Sequence, residues 1–446
     1  MAKPKNLLVV NVAALSMRML KDYGGELPNL SRLAKDSLCS ITPVLPAVTV
    51  PMQATLTTGV LPSRHGMVAN GIYQRAHGKF DNWEQPNNLL EGAPRFWDRA
   101  REKRRDLKVA MLFWQNSKYG SCDFVVTPEP LHLPTGDVSY CYGNPAGFYE
   151  ECVAKLGAFE LMWYWGPMTN FKGSRWITDA TMHTLRTHKP ELALCYLPHL
   201  DYSAQKFGPA SSQTQADLKL IDGLIGELAA ECEKDGRAIA VVSEYAITPV
   251  SAAVAPNRVL AKAGLLHTWT VKDIDFLDAG GSEAFCMVDH QVAHVFVRNP
   301  ARIAEVKALL EKTPGVAKVL DEAGKEAAGI NHPRSGDLVL LSTPDHWFSY
   351  YWFEDAARAP GFTRGVDIHQ KPGYDPLEMF FDPATKSISQ NAALIKGSHG
   401  LVGADPLDKP VFLTHGFNQT KKQIGACEVA GVLERVLTGE ELKDRV

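Results

Sequence analysis

No C-x-x-C pair occurs in the 446 residues, and the eight cysteines are scattered from Cys39 to Cys427. That spacing excludes a zinc ribbon and a small disulfide-stapled scaffold, and it suits a reducing compartment, so a cytoplasmic location is expected. No stretch approaches 18 uninterrupted apolar residues, and no membrane span is expected. Lys3 and Lys5 precede the apolar Leu7-Leu8-Val9-Val10, as in a signal peptide. Asn11 breaks that run, however, and Met17-Arg18 follows in place of a small-residue cleavage site, so the segment reads as a buried first strand. Charge of one sign is lacking as well. With 47 basic against 50 acidic residues the net charge is only −3, which argues against a dedicated nucleic-acid or anionic-membrane binder. The one basic run (Arg99, Arg101, Lys103, Arg104, Arg105) reads as a solvated helix end. The 35 glycines and 28 prolines show no period, and there is no internal repeat. At 45% hydrophobic the chain is too apolar to stay disordered. Its length fits two or three units, or one large α/β domain with an insertion.

Short β-branched runs alternate with amphipathic helical patterns, which predicts an α/β fold with a mostly parallel sheet. Expected strands are Leu7–Val12, Lys108–Phe113, Leu192–Leu197 and Ala238–Ser243. Expected helices run from Pro28-Asn29 to Lys35 and over Ala216–Lys234, the latter ended by Asp235-Gly236. The segment Val48–Thr58 reads as a loop entering a helix that Gly59 closes. From Phe285 onward the texture changes. A strand pair (Phe285–Val288, His294–Arg298), a helix (Ala301–Glu311) and strands at Val316–Leu320 and Asp337–Leu341 predict a small α+β insertion. The aromatic cluster Trp347–Phe353 reads as core or domain interface.

The stretch with most chemical content is Pro46-Ala47-Val48-Thr49-Val50-Pro51, then Thr55-Leu56-Thr57-Thr58-Gly59, then Pro62-Ser63-Arg64-His65-Gly66-Met67-Val68-Ala69-Asn70. It places one hydroxyl, Thr49, between prolines that restrict how the chain enters the following helix. Taken alone, Thr49 reads as an N-cap. A helix N-terminus also stabilises an anion, and a coordinated metal can turn such a hydroxyl into a nucleophile.

The run resembles the nucleotide pyrophosphatase/phosphodiesterase (type I phosphodiesterase) branch of the alkaline phosphatase superfamily. The family pattern is P-x-x-T-x-P, T-x-x-T-G and P-x-x-H-G-x-x-x-N. Further matches are Pro28-Asn29-Leu30, Asp201 to Gly208-Pro209, Val241-Val242-Ser243-Glu244 and Gly397-Ser398-His399-Gly400. The likeness covers roughly residues 6–260 and 365–415. It implies an alkaline-phosphatase-like sheet sandwiched by helices, built from residues 1–280 and 345–446, with residues 281–344 as an α+β cap. Ligands of such sheets bind at the C-terminal strand ends. The resemblance makes Thr49 the nucleophile and Asn70 a donor to a phosphoryl oxygen.

The departures concern metal. Relatives hold two ions, usually zinc, about 4 Å apart. The Asp-Gly that ends their first strand is Ala13-Ala14 here, D-x-x-x-H becomes Asp201-Tyr202-Ser203-Ala204-Gln205, and S-D-H-G becomes Ser243-Glu244-Tyr245-Ala246. The implied ligand set is therefore Asp201, His399, Glu244 and Gln205. Asn11, two residues before Ala13 on the same strand face, is a further oxygen donor. His369, His290 with His294, and His199 are candidate substitutes. His369 ranks first because it shortly precedes His399 in a Gly/Pro-rich loop. Lys371 in that loop is a candidate for binding substrate. One or two divalent ions are expected, with oxygen-rich ligation favouring Mg²⁺ or Mn²⁺ over Zn²⁺. The reaction implied is hydrolysis of a small phosphodiester, pyrophosphate or phosphonate through a threonine intermediate. The alternatives are a degenerate relative that binds without turnover, and a rearranged metalloenzyme with another substrate. No C-x-P-x-R run occupies the nucleophile position, which disfavours a sulfatase.

Overall fold

A computed structural model describes residues 6–83, 85–133 and 136–440. The chain opens on β1 (Leu7–Val12), then α1 (Pro28–Asp36), β2 (Leu38–Thr42) and α2 (Thr49–Thr58). Strands β3 (Val109–Leu112), β4 (Phe124–Pro128) and β5 (Cys141–Asn144) precede α3 (Lys172–Thr187). β6 (Leu192–Leu197), α4 (His199–Phe207), α5 (Ser212–Lys234) and β7 (Ala238–Val242) follow. Four strands form a second sheet: β8 (Ala284–Asp289), β9 (Val292–Val297), β10 (Val316–Leu320) and β11 (Leu338–Ser342). The chain returns through β12 (Val411–His415), β13 (Gln423–Gly425) and α6 (Ala426–Thr438).

The main sheet has nine strands in the order β13-β2-β12-β7-β1-β6-β3-β4-β5. Its centre, β7-β1-β6-β3-β4, is parallel. β12 enters antiparallel between β7 and β2, and β5 closes the far edge antiparallel to β4; the other five pairings are parallel, so the sheet is mixed but mostly parallel, as expected. Both faces are covered. Leu8, Val10 and Val12 of β1 pack with Leu30 of α1, Ile177 of α3 and Ile221 of α5. Leu7 and Val9 pack on the other face with Met52 of α2 and Leu433 of α6. This explains why β1 is apolar at nearly every position. Each such side chain contributes roughly 1.5–3 kcal/mol on burial.

Helix α5 starts at Ser212, four residues before its expected start, because the Ser211 hydroxyl accepts from Thr214 N as N-cap. Gly59 ends α2 at φ 81°, and an added Cβ there would meet Cys427 O of α6 at 3.1 Å. All eight cysteines are free. Among the described residues no helix is long and apolar enough to cross a membrane.

The second sheet is antiparallel in the order β8-β9-β11-β10. Its core also takes in Leu260, Leu266, Trp347, Phe348, Tyr350 to Phe353, Leu377 and Ile395. The hydrophobic unit is thus broader than residues 281–344, because flanking loops supply much of its packing. The cluster at 347–353 is buried within it.

Candidate active site

The central parallel strands aim their C-terminal ends at a cleft of about 460 Å³. Register places Asn11 of β1 beside Tyr196 of β6 and Val242 of β7. The segments that leave those ends carry Asp201 and Glu244-Tyr245, opposite the start of α2.

Thr49 is the first residue of α2 and lies on the cleft, 3% exposed. Val48 provides no side-chain cap, so the first-turn amides need a partner from elsewhere. Asn70 Oδ1 supplies it, accepting from Val50 N at 2.9 Å. Asp289, at the end of β8, holds Asn70 in turn, accepting from its backbone N at 2.7 Å and from its Nδ2 at 3.0 Å. Asn70 therefore buttresses the helix start. One of its two side-chain N–H groups is engaged by Asp289, and Asn70 is not among the residues lining the cleft.

The loop before α2 is tied to the late His399 segment. Ala47 N donates to Gly400 O at 2.9 Å, and the Ala47 carbonyl lies 2.8 Å from His399 Nδ1. That carbonyl can only accept, so Nδ1 carries the proton and Nε2 the lone pair. Nε2 stands 3.8 Å from Asp201 Oδ1. Burial keeps the imidazole neutral, lowering its pKa to about 3.

Tyr245 lies flat against His399, rings 3.5 Å apart and 5° from parallel. Its hydroxyl is 3.3 Å from Thr49 Oγ1 and donates to Asp201 Oδ1 at 3.1 Å. Gln205, one turn beyond Asp201 on α4, donates from Nε2 to Asp201 Oδ2 at 2.5 Å. Gln53 Nε2 donates to Glu244 Oε1 at 2.6 Å, while Gln53 Oε1 accepts from Gln115 N at 2.7 Å. Both acids sit among neutral donors. Burial raises Asp201 to about 7 against the hydrogen bonds of Gln205 and Tyr245, and raises Glu244 to about 8. Asp289 is likewise raised to about 7 by burial.

Thr49, Asp201, Gln205, Glu244 and His399 thus converge. His290, in the turn between β8 and β9, joins them, its ring 3.8 Å from that of His399 and 3.9 Å from that of Tyr374. Asn11 approaches Glu244, yet its Oδ1 and Nδ2 and Glu244 Oε2 are buried without hydrogen-bond partners. The remaining candidates do not join this group, although His369 lines the same cleft. His294 is held between Val68 O at 3.1 Å and Gly336 N at 3.0 Å, far from a helical pairing with His290. His199 faces Asp217 of α5 at 3.2 Å. His369 is exposed and lines the cleft beside Asp367 and Gln370, so nearness in sequence to His399 did not bring it to the floor. Lys371 is 1% exposed, and its Nζ donates to Asp375 at 2.8 Å, Glu378 at 2.6 Å and Gly365 O at 2.9 Å. A cation enclosed in that way is structural, which corrects its expected substrate role.

The donor set does not match a two-ion centre. Among the described residues no three His, Cys, Asp or Glu side chains gather as a metal cluster. Asp201 has both oxygens engaged by neutral donors. The partnerless donors are the Asn11 amide, Glu244 Oε2 and a single imidazole nitrogen, His290 Nδ1. The cleft walls are aromatic, with Trp83, Tyr164, Trp165, Tyr202 and Tyr374, and no Lys or Arg lines them among the described residues. Sequence reasoning missed these walls and Gln53. The run Trp163-Tyr164-Trp165 was a visible signal, whereas Tyr374 and Gln53 carry none.

A family model of type I phosphodiesterase / nucleotide pyrophosphatase matches residues 7–375. An uncharacterized pyrophosphatase/phosphodiesterase of Schizosaccharomyces pombe is 23% identical over 293 residues, 63% of this chain and 52% of that protein. Human ectonucleotide pyrophosphatase/phosphodiesterase family member 1 is 25% identical over 227 residues, 50% of this chain and 21% of that protein. The chain thus spans about half or less of the length of these relatives. Two solved structures share the fold. Phosphonoacetate hydrolase from Sinorhizobium meliloti 1021, in complex with phosphonoformate, superposes with a TM-score of 0.64 at 15% identity, covering 98% of this chain and 96% of its own. An inactive form of murine ectonucleotide pyrophosphatase/phosphodiesterase 5, in complex with AMP, gives 0.62 at 15%, covering 99% and 97%.

Proposed function

The chain belongs to the type I phosphodiesterase / nucleotide pyrophosphatase family, and on that premise we propose that it hydrolyses small phosphodiesters, pyrophosphates or phosphonates, with Thr49 as nucleophile. One observation carries this reading. Thr49 Oγ1 stands at the cleft, 3.3 Å from a tyrosine hydroxyl that is itself bonded to a buried carboxyl group. Thr49 Oγ1 bonds to phosphorus while the bond from phosphorus to the leaving group breaks. The Thr49 proton passes to the Tyr245 oxygen as the Tyr245 proton passes to Asp201 Oδ1. A water oxygen then bonds to phosphorus and releases one proton to solvent, the Oγ1–phosphorus bond breaks, and Thr49 regains its proton by the reverse path. The leaving group takes its proton from solvent. The start of α2 favours the negative charge that builds up on the phosphoryl oxygens. No step runs through a metal ion, since the donors present do not fit the family's two.

Binding without turnover is the second reading. It is favoured by the lack of lining Lys or Arg among the described residues and by the engagement of Asn70 and Lys371 with carboxylates. A chromogenic aryl phosphodiester separates the two. Turnover by wild type that disappears in Thr49→Ala supports the hydrolase, and binding without turnover by both supports the second. Retention of more than about a tenth of the rate in the variant would show that Thr49 is not the nucleophile.

A further inference from the structure

We infer that the Tyr245 hydroxyl stands where the family pattern calls for a metal ion, so that this chain closes its centre with hydrogen bonds and does not assemble a two-ion site. The catalytic use of that hydroxyl rests on the hydrolase reading, but the ion count does not.

The family pattern has an imidazole at position 245, which ends at a ring nitrogen. A phenol is longer, so its oxygen projects beyond that point. Here the oxygen lies between Thr49 Oγ1 at 3.3 Å and Asp201 Oδ1 at 3.1 Å, hydrogen-bonding distances to both. A zinc ion there would need each oxygen at about 2.0–2.2 Å, within the volume the phenol fills. The ring cannot swing aside cheaply. Tyr245 is 2% exposed, and it is stacked on His399, which is fixed by the Ala47 carbonyl.

The neighbouring positions have changed in the same sense. Gln205 brings an N–H to Asp201 where the pattern has an imidazole, and Gln53 brings one to Glu244. Ala13, at the position of the family's strand-end aspartate, has no donor atom in its side chain. Every carboxyl oxygen that would face an ion therefore meets a neutral donor, apart from Glu244 Oε2 beside Asn11. The unpaired donors that remain, Glu244 Oε2, the Asn11 amide, His290 Nδ1 and the lone pair of His399 Nε2, are too few for two ions while the Tyr245 hydroxyl fills the space between Thr49 and Asp201.

Calorimetric titration of the full chain with zinc chloride tests this, after purification without chelator. Ions bound elsewhere are identified as those that survive Asp201→Asn. Wild type should take up no more than one Asp201-dependent equivalent, and the double variant Gln205→His, Tyr245→His should gain one, at least tenfold tighter. Cobalt(II) should give the double variant a visible absorption band that wild type lacks. Two sub-micromolar, Asp201-dependent equivalents in wild type would overturn the inference, as would a folded double variant that titrates like wild type. If the double variant does not fold, the wild-type count decides alone. Absence of diester turnover in wild type would sink the hydrolase reading and leave the ion count standing.

Discussion

The two walls of the cleft follow different rules. The Thr49 wall is placed by backbone devices, namely the α2 start capped by Asn70, the Ala47–Gly400 pairing and the αL stop at Gly59. The facing wall hangs from the ends of β6 and β7 and is defined by side chains, Asp201 with Gln205 and Glu244 with Tyr245. The first wall keeps every motif residue of its family, and the second keeps the positions with altered chemistry. Strand register places a Cα whatever its side chain carries. A buried carboxyl group accepts any partner that offsets its desolvation, an ion or a set of N–H and O–H donors. One wall can thus change its chemistry while the other stays put.

The largest expected effect lies on the Thr49 wall. Thr49→Ala should cut diester hydrolysis by more than about a thousandfold, since losing a covalent nucleophile removes the reaction path. Its thermal midpoint should stay near that of wild type, because Thr49 makes no cap. A parallel loss of folding would break the comparison by making Thr49 structural.

Lys371 belongs to neither wall. Lys371→Met leaves Asp375 and Glu378 buried without their cation, and stability should fall by about 3–5 kcal/mol in urea titrations. The Michaelis constant of the folded fraction should hardly move. A raised Michaelis constant at unchanged stability would return Lys371 to substrate binding.

Asn70→Ala sharpens the contrast more gently. It strips Val50 N and one Asp289 oxygen of partners, at a cost of about 1–3 kcal/mol in unfolding free energy. An unaltered urea midpoint would show that the α2 start is held by something else.

The smallest effect concerns His294, which fastens the second sheet to the Val68 loop. Burial lowers its pKa to about 4, against an ordinary value near 6.5. Between those values the unfolded chain binds the extra proton and the folded chain does not. Stability from this group is therefore present above about pH 6.5 and is lost as pH falls towards 4. His294→Gln should reduce the drop between pH 7 and pH 5 by an amount on the order of 1 kcal/mol. Identical pH profiles for variant and wild type would place His294 in solvent.

Much of the scaffold was legible because its signals are local. Apolar runs such as Leu7–Val12 and Leu192–Leu197 match their expected bounds because both faces are buried, and Gly59 marks a helix end by its backbone demand alone. The antiparallel entry of β12 was not legible, since strand order depends on pairings across the chain. In the site, Thr49, Asp201 and His399 could be read from motifs. That Asn70 was already engaged could not, because its partner Asp289 lies 219 residues away. Lys371 misled for a different reason, as a lysine among nearby carboxylates looks the same in sequence whether it faces solvent or a buried triad. Tyr245 was read as a lost imidazole, and only the geometry shows what its hydroxyl brings.

The central claim is that a phenol, not an ion, joins the two walls. A crystal structure from zinc-soaked protein, with anomalous data collected at the zinc edge, tests it most directly. The account predicts no anomalous peak between Thr49 and Asp201, with the Tyr245 oxygen within hydrogen-bonding distance of both. A zinc peak about 2 Å from Thr49 Oγ1 and Asp201, with Tyr245 displaced from His399, would contradict it.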